Sequence, residues 1–210
     1  AGQAQAGFGG SVATAGDVDG DGYADLMVGA YTYDGAEPDE GLVRVYRGGR
    51  AGISGVASSY HSVQTSAHLG ASVMTAGDVN GDGFSDVLAG SPNYDGLSLL
   101  NDGRIFAWYG AARNLAVLPH WQRMGPPQAG GAPTQVPSGD FNGDGYSDIA
   151  VGYPTFNGPN GSQSGRAEAF YGGPHGLKAD ADWDVDGAGP RNRLGQGLAV
   201  VDLNGDGYED

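Results

Sequence analysis

The sequence has 210 residues, 41 of them Gly and 11 Pro, with no Cys and a formal net charge of −15. The missing cysteine excludes disulfides, thiolate zinc sites and cysteine nucleophiles, and so acidic a chain repels nucleic acid and anionic membrane. There is no uninterrupted apolar run of about 18 residues, so no membrane-inserted helix is expected.

In chain order, the opening Ala1-Gly2-Gln3-Ala4 has no basic segment leading into an apolar one. Any export leader is therefore expected to have been removed, or the chain to be a piece of something longer. Phe8-Gly9-Gly10-Ser11-Val12-Ala13 predicts a first strand, and Leu26-Met27-Val28-Gly29-Ala30 a second, buried one. Leu42-Val43-Arg44-Val45-Tyr46 predicts a third, and a weaker run centred on Tyr60 a fourth. Short β-branched and aliphatic runs bounded by Gly are the signal in each case.

The order then repeats. Leu69-Gly70-Ala71-Ser72-Val73-Met74, Val87-Leu88-Ala89-Gly90-Ser91-Pro92, Arg104-Ile105-Phe106-Ala107-Trp108-Tyr109 and the Trp121 run form a second copy. Ile149-Ala150-Val151-Gly152-Tyr153-Pro154, Arg166-Ala167-Glu168-Ala169-Phe170-Tyr171 and the Trp183 run form a third. The third copy has Pro133 and Pro137 where its first strand should stand, and proline avoids central strands, so that strand should be short or distorted. A fourth copy begins at Leu194-Gly195-Gln196-Gly197-Leu198-Ala199. The repeats run approximately 7–67, 68–130, 131–192 and, in part, 193–210, within one region, 1–210.

Between the first and second strands of every copy stands one nine-residue segment, Asp-x-Asp/Asn-Gly-Asp-Gly-aromatic-x-Asp (Asp-x-Asn-Gly-Asp-Gly-Tyr-x-Asp in the last). Its first aspartates, Asp17, Asp78, Asp140 and Asp202, are 61, 62 and 62 residues apart. Thirteen of the 25 acidic residues occupy positions 1, 3, 5 and 9 of these segments, and the remainder nearly balances the ten Lys and Arg. The acidity therefore reads as ligand charge. Calcium takes six to eight oxygens, and carboxylate or amide oxygens at positions 1, 3 and 5 of a tight turn curl onto one centre. Glycine at position 6 supplies the positive φ the turn needs.

The predicted ligands of the first loop are Asp17, Asp19, Asp21, the Tyr23 carbonyl and Asp25. Those of the second are Asp78, Asn80, Asp82, the Phe84 carbonyl and Asp86. The third loop offers Asp140, Asn142, Asp144, the Tyr146 carbonyl and Asp148; the fourth offers Asp202, Asn204, Asp206, the Tyr208 carbonyl and Asp210. Up to four Ca²⁺ are expected, the first site binding tightest because it has four carboxylates. An EF-hand would need a glutamate at position 12 and flanking helices. Position 12 is Val28, Ala89 and Val151, each inside an apolar run, so the loop should join antiparallel strands instead. Magnesium prefers small octahedral sites with several waters, and a transition metal would want His or Cys. A metal-free Asx/Gly turn is the bland alternative.

Four short strands per repeat of about 62 residues describe all-β, four-stranded antiparallel propeller blades, three full blades and the start of a fourth. The aromatics of the third and fourth strands should pack between blades. The loop pattern, with Phe8-Gly9 and Leu69-Gly70 before it and Gly29-Ala30-Tyr31, Gly90-Ser91-Pro92 and Gly152-Tyr153-Pro154 after it, resembles the FG-GAP repeat of integrin α-subunit propellers. The resemblance implies a propeller of usually seven blades, calcium between the first two strands of blades, and an extracellular or cell-surface, secreted setting. It also implies adhesion or recognition of a protein or carbohydrate ligand, or service as a non-catalytic accessory or scaffold within a larger secreted enzyme or surface protein. Three full repeats leave open sheet faces, so either the rest of a longer propeller, the favoured reading, or further copies of the chain should close the ring.

No enzyme signature is present. His61, His68, His120 and His175 lack metal-ligand spacing, no nucleophile elbow occurs, and Gly20–Asp25 is not followed by a helix pattern. Ligand specificity, if present, should lie in the variable loops 33–40, 93–102 and 156–164, as it does on other rigid scaffolds.

Overall fold

A computed structural model describes residues 3–96, 102–112, 115–126 and 136–209. The described residues form twelve strands and no helix. The first sheet contains β1 (Phe8–Gly16), β2 (Asp25–Ala30), β3 (Leu42–Tyr46) and β4 (Val56–His61). The second contains β5 (Ser72–Gly77), β6 (Asp86–Ser91), β7 (Arg104–Trp108) and β8 (Trp121–Met124). The third contains β9 (Ser138–Gly139), β10 (Asp148–Tyr153), β11 (Arg166–Phe170) and β12 (Trp183–Asp186). In every sheet the strands follow chain order and pair antiparallel with their neighbours. Each sheet is one propeller blade, as the repeat predicts.

The second strand of each blade is covered on both faces, which explains its unbroken apolar sequence: all of β6 is buried, and only one residue in each of β2 and β10 is partly exposed. A single sheet cannot bury two faces, so the cores lie between blades. One core joins Met27, Val43, Val45 and Tyr60 of the first blade to Val87, Ala89, Phe106 and Trp108 of the second. The other joins Leu88, Ile105, Ala107 and Trp121 of the second to Ile149, Val151, Tyr153 and Phe170 of the third. The strand aromatics pack between blades: Tyr60 stacks on Trp108 at 4.3 Å, and Trp121 meets Phe170 edge-on at 5.3 Å.

β9 has two residues, and Pro137 contributes only its carbonyl, which accepts the Ala150 N–H. This is the shortened strand anticipated from proline; Pro133 lies outside the described residues. At the end of the blades away from the acidic loops, Gly29 and Gly152 carry close interblade contacts. A Cβ on either would overlap the carbonyl of Gly70 or Gly195 in the following repeat. That approach accounts for the Gly in each Gly-Ala or Gly-Tyr-Pro segment.

Candidate metal centre

The first two acidic loops leave their first strands through a bulge. Gly16 and Gly77 sit at register shifts with φ of 70° and 73°, and Thr14 and Thr75 accept their N–H groups. The loop then winds around its position-1 aspartate. Asp17 Oδ1 accepts the N–H of Gly20 (2.8 Å) and Asp21 (3.0 Å), and Oδ2 that of Gly22 (2.8 Å). Asp78, Asp140 and Asp202 make the same three bonds. The position-5 aspartate accepts the N–H of the position-7 aromatic: Tyr23 on Asp21, Phe84 on Asp82, Tyr146 on Asp144 and Tyr208 on Asp206. These backbone donors hold Asp202 below the ordinary carboxylate range, Gly207 N–H being the largest cause.

The winding brings the acidic side chains together. In the first loop Asp17, Asp19 and Asp21 each place a carboxylate oxygen within 4.8 Å of the others. In the second and third loops, Asn80 and Asn142 stand at position 3, their Oδ1 accepting the Asp82 and Asp144 N–H and their Nδ2 donating to the same residues' carboxylates. Asn204 Oδ1 accepts the Asp206 N–H in the fourth. The donors are all hard oxygens on a preformed turn, a set that fits a calcium-sized cation. Arg47 Nε lies 3.0 Å from Asp19 Oδ2, so the extra carboxylate of the first loop is shared with a cation of the chain itself.

The position-9 aspartates have a different environment. Asp25, Asp86 and Asp148 are at most 2% exposed. One oxygen of each accepts the N–H of loop position 2, from Val18, Val79 or Phe141, at 2.9–3.0 Å. The other accepts the N–H of a glycine just after the third strand, Gly48, Gly110 or Gly172, at 2.7–2.8 Å. Each thus pins its loop to its own blade. Burial raises the pKa of all three, with the loop carboxylates adding to it and the two N–H groups opposing: Asp86 reaches about 7 and Asp148 about 6. Asp210 lies outside the described residues.

Sequence reading missed how neighbouring loops are joined. The position-7 aromatic covers the first glycine of the preceding loop: Phe84 faces Gly20, Tyr146 faces Gly81 and Tyr208 faces Gly143. The position-8 residue then binds the preceding position 1. Ser85 and Ser147 donate their N–H to the Asp17 and Asp78 carbonyls at 2.9 Å, and Glu209 to that of Asp140 at 3.3 Å. In return, Ser147 Oγ and Glu209 Oε2 accept the Asp78 and Asp140 N–H. Ala111 and Gly173 N–H add bonds to the Val18 and Val79 carbonyls. The signal was present only as the repeat period: position 8 follows the preceding position 1 by 68, 69 and 69 residues.

Comparison with known proteins places this geometry in context. The FG-GAP repeat family model matches residues 8–46, 69–108 and 132–167. The chain is 34% identical over 163 residues to integrin alpha-PS2 of Drosophila melanogaster, covering 69% of this chain and 11% of that protein. It is 28% identical over 166 residues to the phosphatidylinositol-glycan-specific phospholipase D of Bos taurus, covering 75% of this chain and 20% of that one. Among solved structures, the exotype rhamnogalacturonan lyase YesX superposes with a TM-score of 0.58 at 16% identity, over 95% of this chain and 37% of the lyase, a likeness of fold. The chain thus spans a fifth or less of the length of these curated relatives.

Proposed function

This chain belongs to the FG-GAP repeat family, and on that premise we propose that it is an arc of a larger β-propeller whose loops bind structural calcium and whose role is extracellular recognition or adhesion. The observation that carries the calcium reading is the convergence of Asp17, Asp19 and Asp21 on a loop wound by backbone N–H groups. Their carboxylates repel one another, and a divalent ion would turn that repulsion into a tie between the two strands each loop joins. The side chains at positions 1, 3 and 5 and the position-7 carbonyl would hold the ion. Asp25, Asp86 and Asp148 would act on it from their buried places or complete its shell. The chain would itself be non-catalytic.

Thermal unfolding in excess calcium, in magnesium and in chelator tests this. A ligand at a hundredfold excess over its Kd adds about 2.7 kcal/mol per site. We expect a large rise in Tm with calcium that magnesium does not reproduce. Equal Tm in calcium and chelator would mean that the loops are metal-free turns.

A second reading has its own support. The likeness to a phospholipase D, and in fold to a lyase, favours an accessory propeller within a larger secreted enzyme. Loop substitutions that abolish the activity of the full-length protein while leaving its isolated catalytic part active would select this reading over free-standing adhesion.

A further inference from the structure

The first acidic loop differs from the next two at two places that change together. Loop position 3 is Asp19 in the first, and Asn80 and Asn142 in the second and third. The bonds from Gly48, Gly110 and Gly172 to the position-9 aspartates align the three blades, and the residue before each glycine is Arg47, Tyr109 and Tyr171. The blade does not require a cation at that place. In the second blade Tyr109 stacks on His120 instead, and its hydroxyl accepts the Leu177 N–H.

The two changes meet in space. Arg47 Nε stands 3.0 Å from Asp19 Oδ2, and the Asp19 side chain is 11% exposed. Asp19 Oδ1 is buried and has no hydrogen-bond partner among the described residues. Asp19 thus commits one oxygen to Arg47 and keeps the other on the loop where it converges with Asp17 and Asp21. In the second and third loops the position-3 amide steadies the loop from inside. Asn80 Nδ2 donates to the Asp82 carboxylate at 3.0 Å, and Asn142 Nδ2 to that of Asp144 at 3.1 Å. A carboxylate at position 3 has no proton to donate, so Asp19 repels Asp21, and the offset has to come from outside the loop.

We propose that Arg47 is a built-in counter-ion of the first loop: it offsets the repulsion among the loop carboxylates when calcium is absent, and it lowers the calcium affinity of this loop to that of its neighbours. The inference rests on the calcium reading above and deepens it. Four carboxylates with one guanidinium leave the first loop a net charge of −3, equal to that of the three carboxylates in each of the next two. Carboxylate count alone makes the first site the tightest; with Arg47 included, that advantage is gone. Arg47 is a positioning residue here, acting on the ion through Asp19.

The test is a calcium titration of the whole chain followed by NMR at the loop glycines, Gly20 and Gly22 for the first site, Gly81 and Gly83 for the second, Gly143 and Gly145 for the third. Wild-type affinities should agree within about threefold. Arg47→Gln should tighten the first site at least about tenfold, leave the other two unchanged, and lower Tm in chelator. A merely structural contact would lower Tm without tightening calcium. If Arg47→Gln does not fold, Arg47→Tyr, with the residue that the other two blades have there, decides in the same way. Asp19→Asn combined with Arg47→Tyr recreates the second-loop pair and should return the first site to the affinity of the second. First-site affinity unchanged or weakened on loss of the Arg47 charge overturns the proposal, as does a wild-type first site ten times tighter than the others. Those outcomes leave calcium bound at the second and third loops, whereas no saturable shift at any loop overturns the calcium reading and this proposal with it.

Discussion

The buried carboxylate of Asp86 shows how much one side chain does in these loops. Its two oxygens serve two N–H groups, Val79 and Gly110, that have no water to turn to. Asp86→Asn puts an amide NH₂ against one of them and should cost about 1–3 kcal/mol in urea unfolding with chelator present, before any metal is considered. Asp82→Asn, at an exposed site, should cost far less under those conditions, and a reversal of that order would contradict the assigned role. Gly20 makes a second prediction. Its φ is 74°, and a Cβ would stand 2.6 Å from the Phe84 ring. Gly20→Ala should therefore be destabilising by at least about 1–2 kcal/mol from backbone conformation alone. The double variant with Phe84→Ala should recover only the steric part, which a thermodynamic cycle reads directly.

Among elements, the strands and the loops between them are legible in sequence because each repeats the same local chemistry. β2, β6 and β10 are read from unbroken apolar runs, and position 12 of each loop, Val28, Ala89 and Val151, lies inside them as expected. The joins between loops are not legible from one repeat. Ser85 and Ser147 look like ordinary polar turn residues until the preceding loop is set beside them. The interface of the second and third blades depends on Trp121. Trp121→Ala should cost about 3–5 kcal/mol, and Trp121→Phe should cost less, losing chiefly the bond to the Lys178 carbonyl. Chemical denaturation of both variants checks the order. A smaller loss for Ala than for Phe would mean that the indole does not hold the blades together.

At the scale of the whole molecule, burying both faces of each sheet also buries tyrosines. Burial pushes the Tyr60 hydroxyl up to about 12, the neighbouring Ser58 opposing weakly, and it raises Tyr109 and Tyr153 as well. As pH rises past about 10 the unfolded chain releases these protons first, so stability is lost between about pH 10 and 12. Tyr60→Phe should flatten that slope, as measured by stability curves across the range; an unchanged slope would remove Tyr60 from the account. The outward face of the third blade leaves Trp183 half exposed, at 51%, where its counterpart Trp121 is 7% exposed beneath the following blade. Covering it is a task for further sheet, consistent with a chain that spans a fifth or less of its curated relatives.

The sequence by itself determined the repeat, the blade, the strand order within it and the acidic loop between its first two strands. Those depend on neighbours within a few residues or one period, and local spacing encodes them. Only the tertiary structure decided which carboxylates converge and which are buried. Asp17, Asp19 and Asp21 meet on one turn, whereas Asp25, four residues beyond Asp21, is drawn into the blade by Gly48. It also decided that Phe84 and Tyr146 serve the preceding loop and that Tyr60 of one blade stacks on Trp108 of the next. Those outcomes depend on what the adjacent blade places opposite each residue, and one repeat read alone does not contain its neighbour.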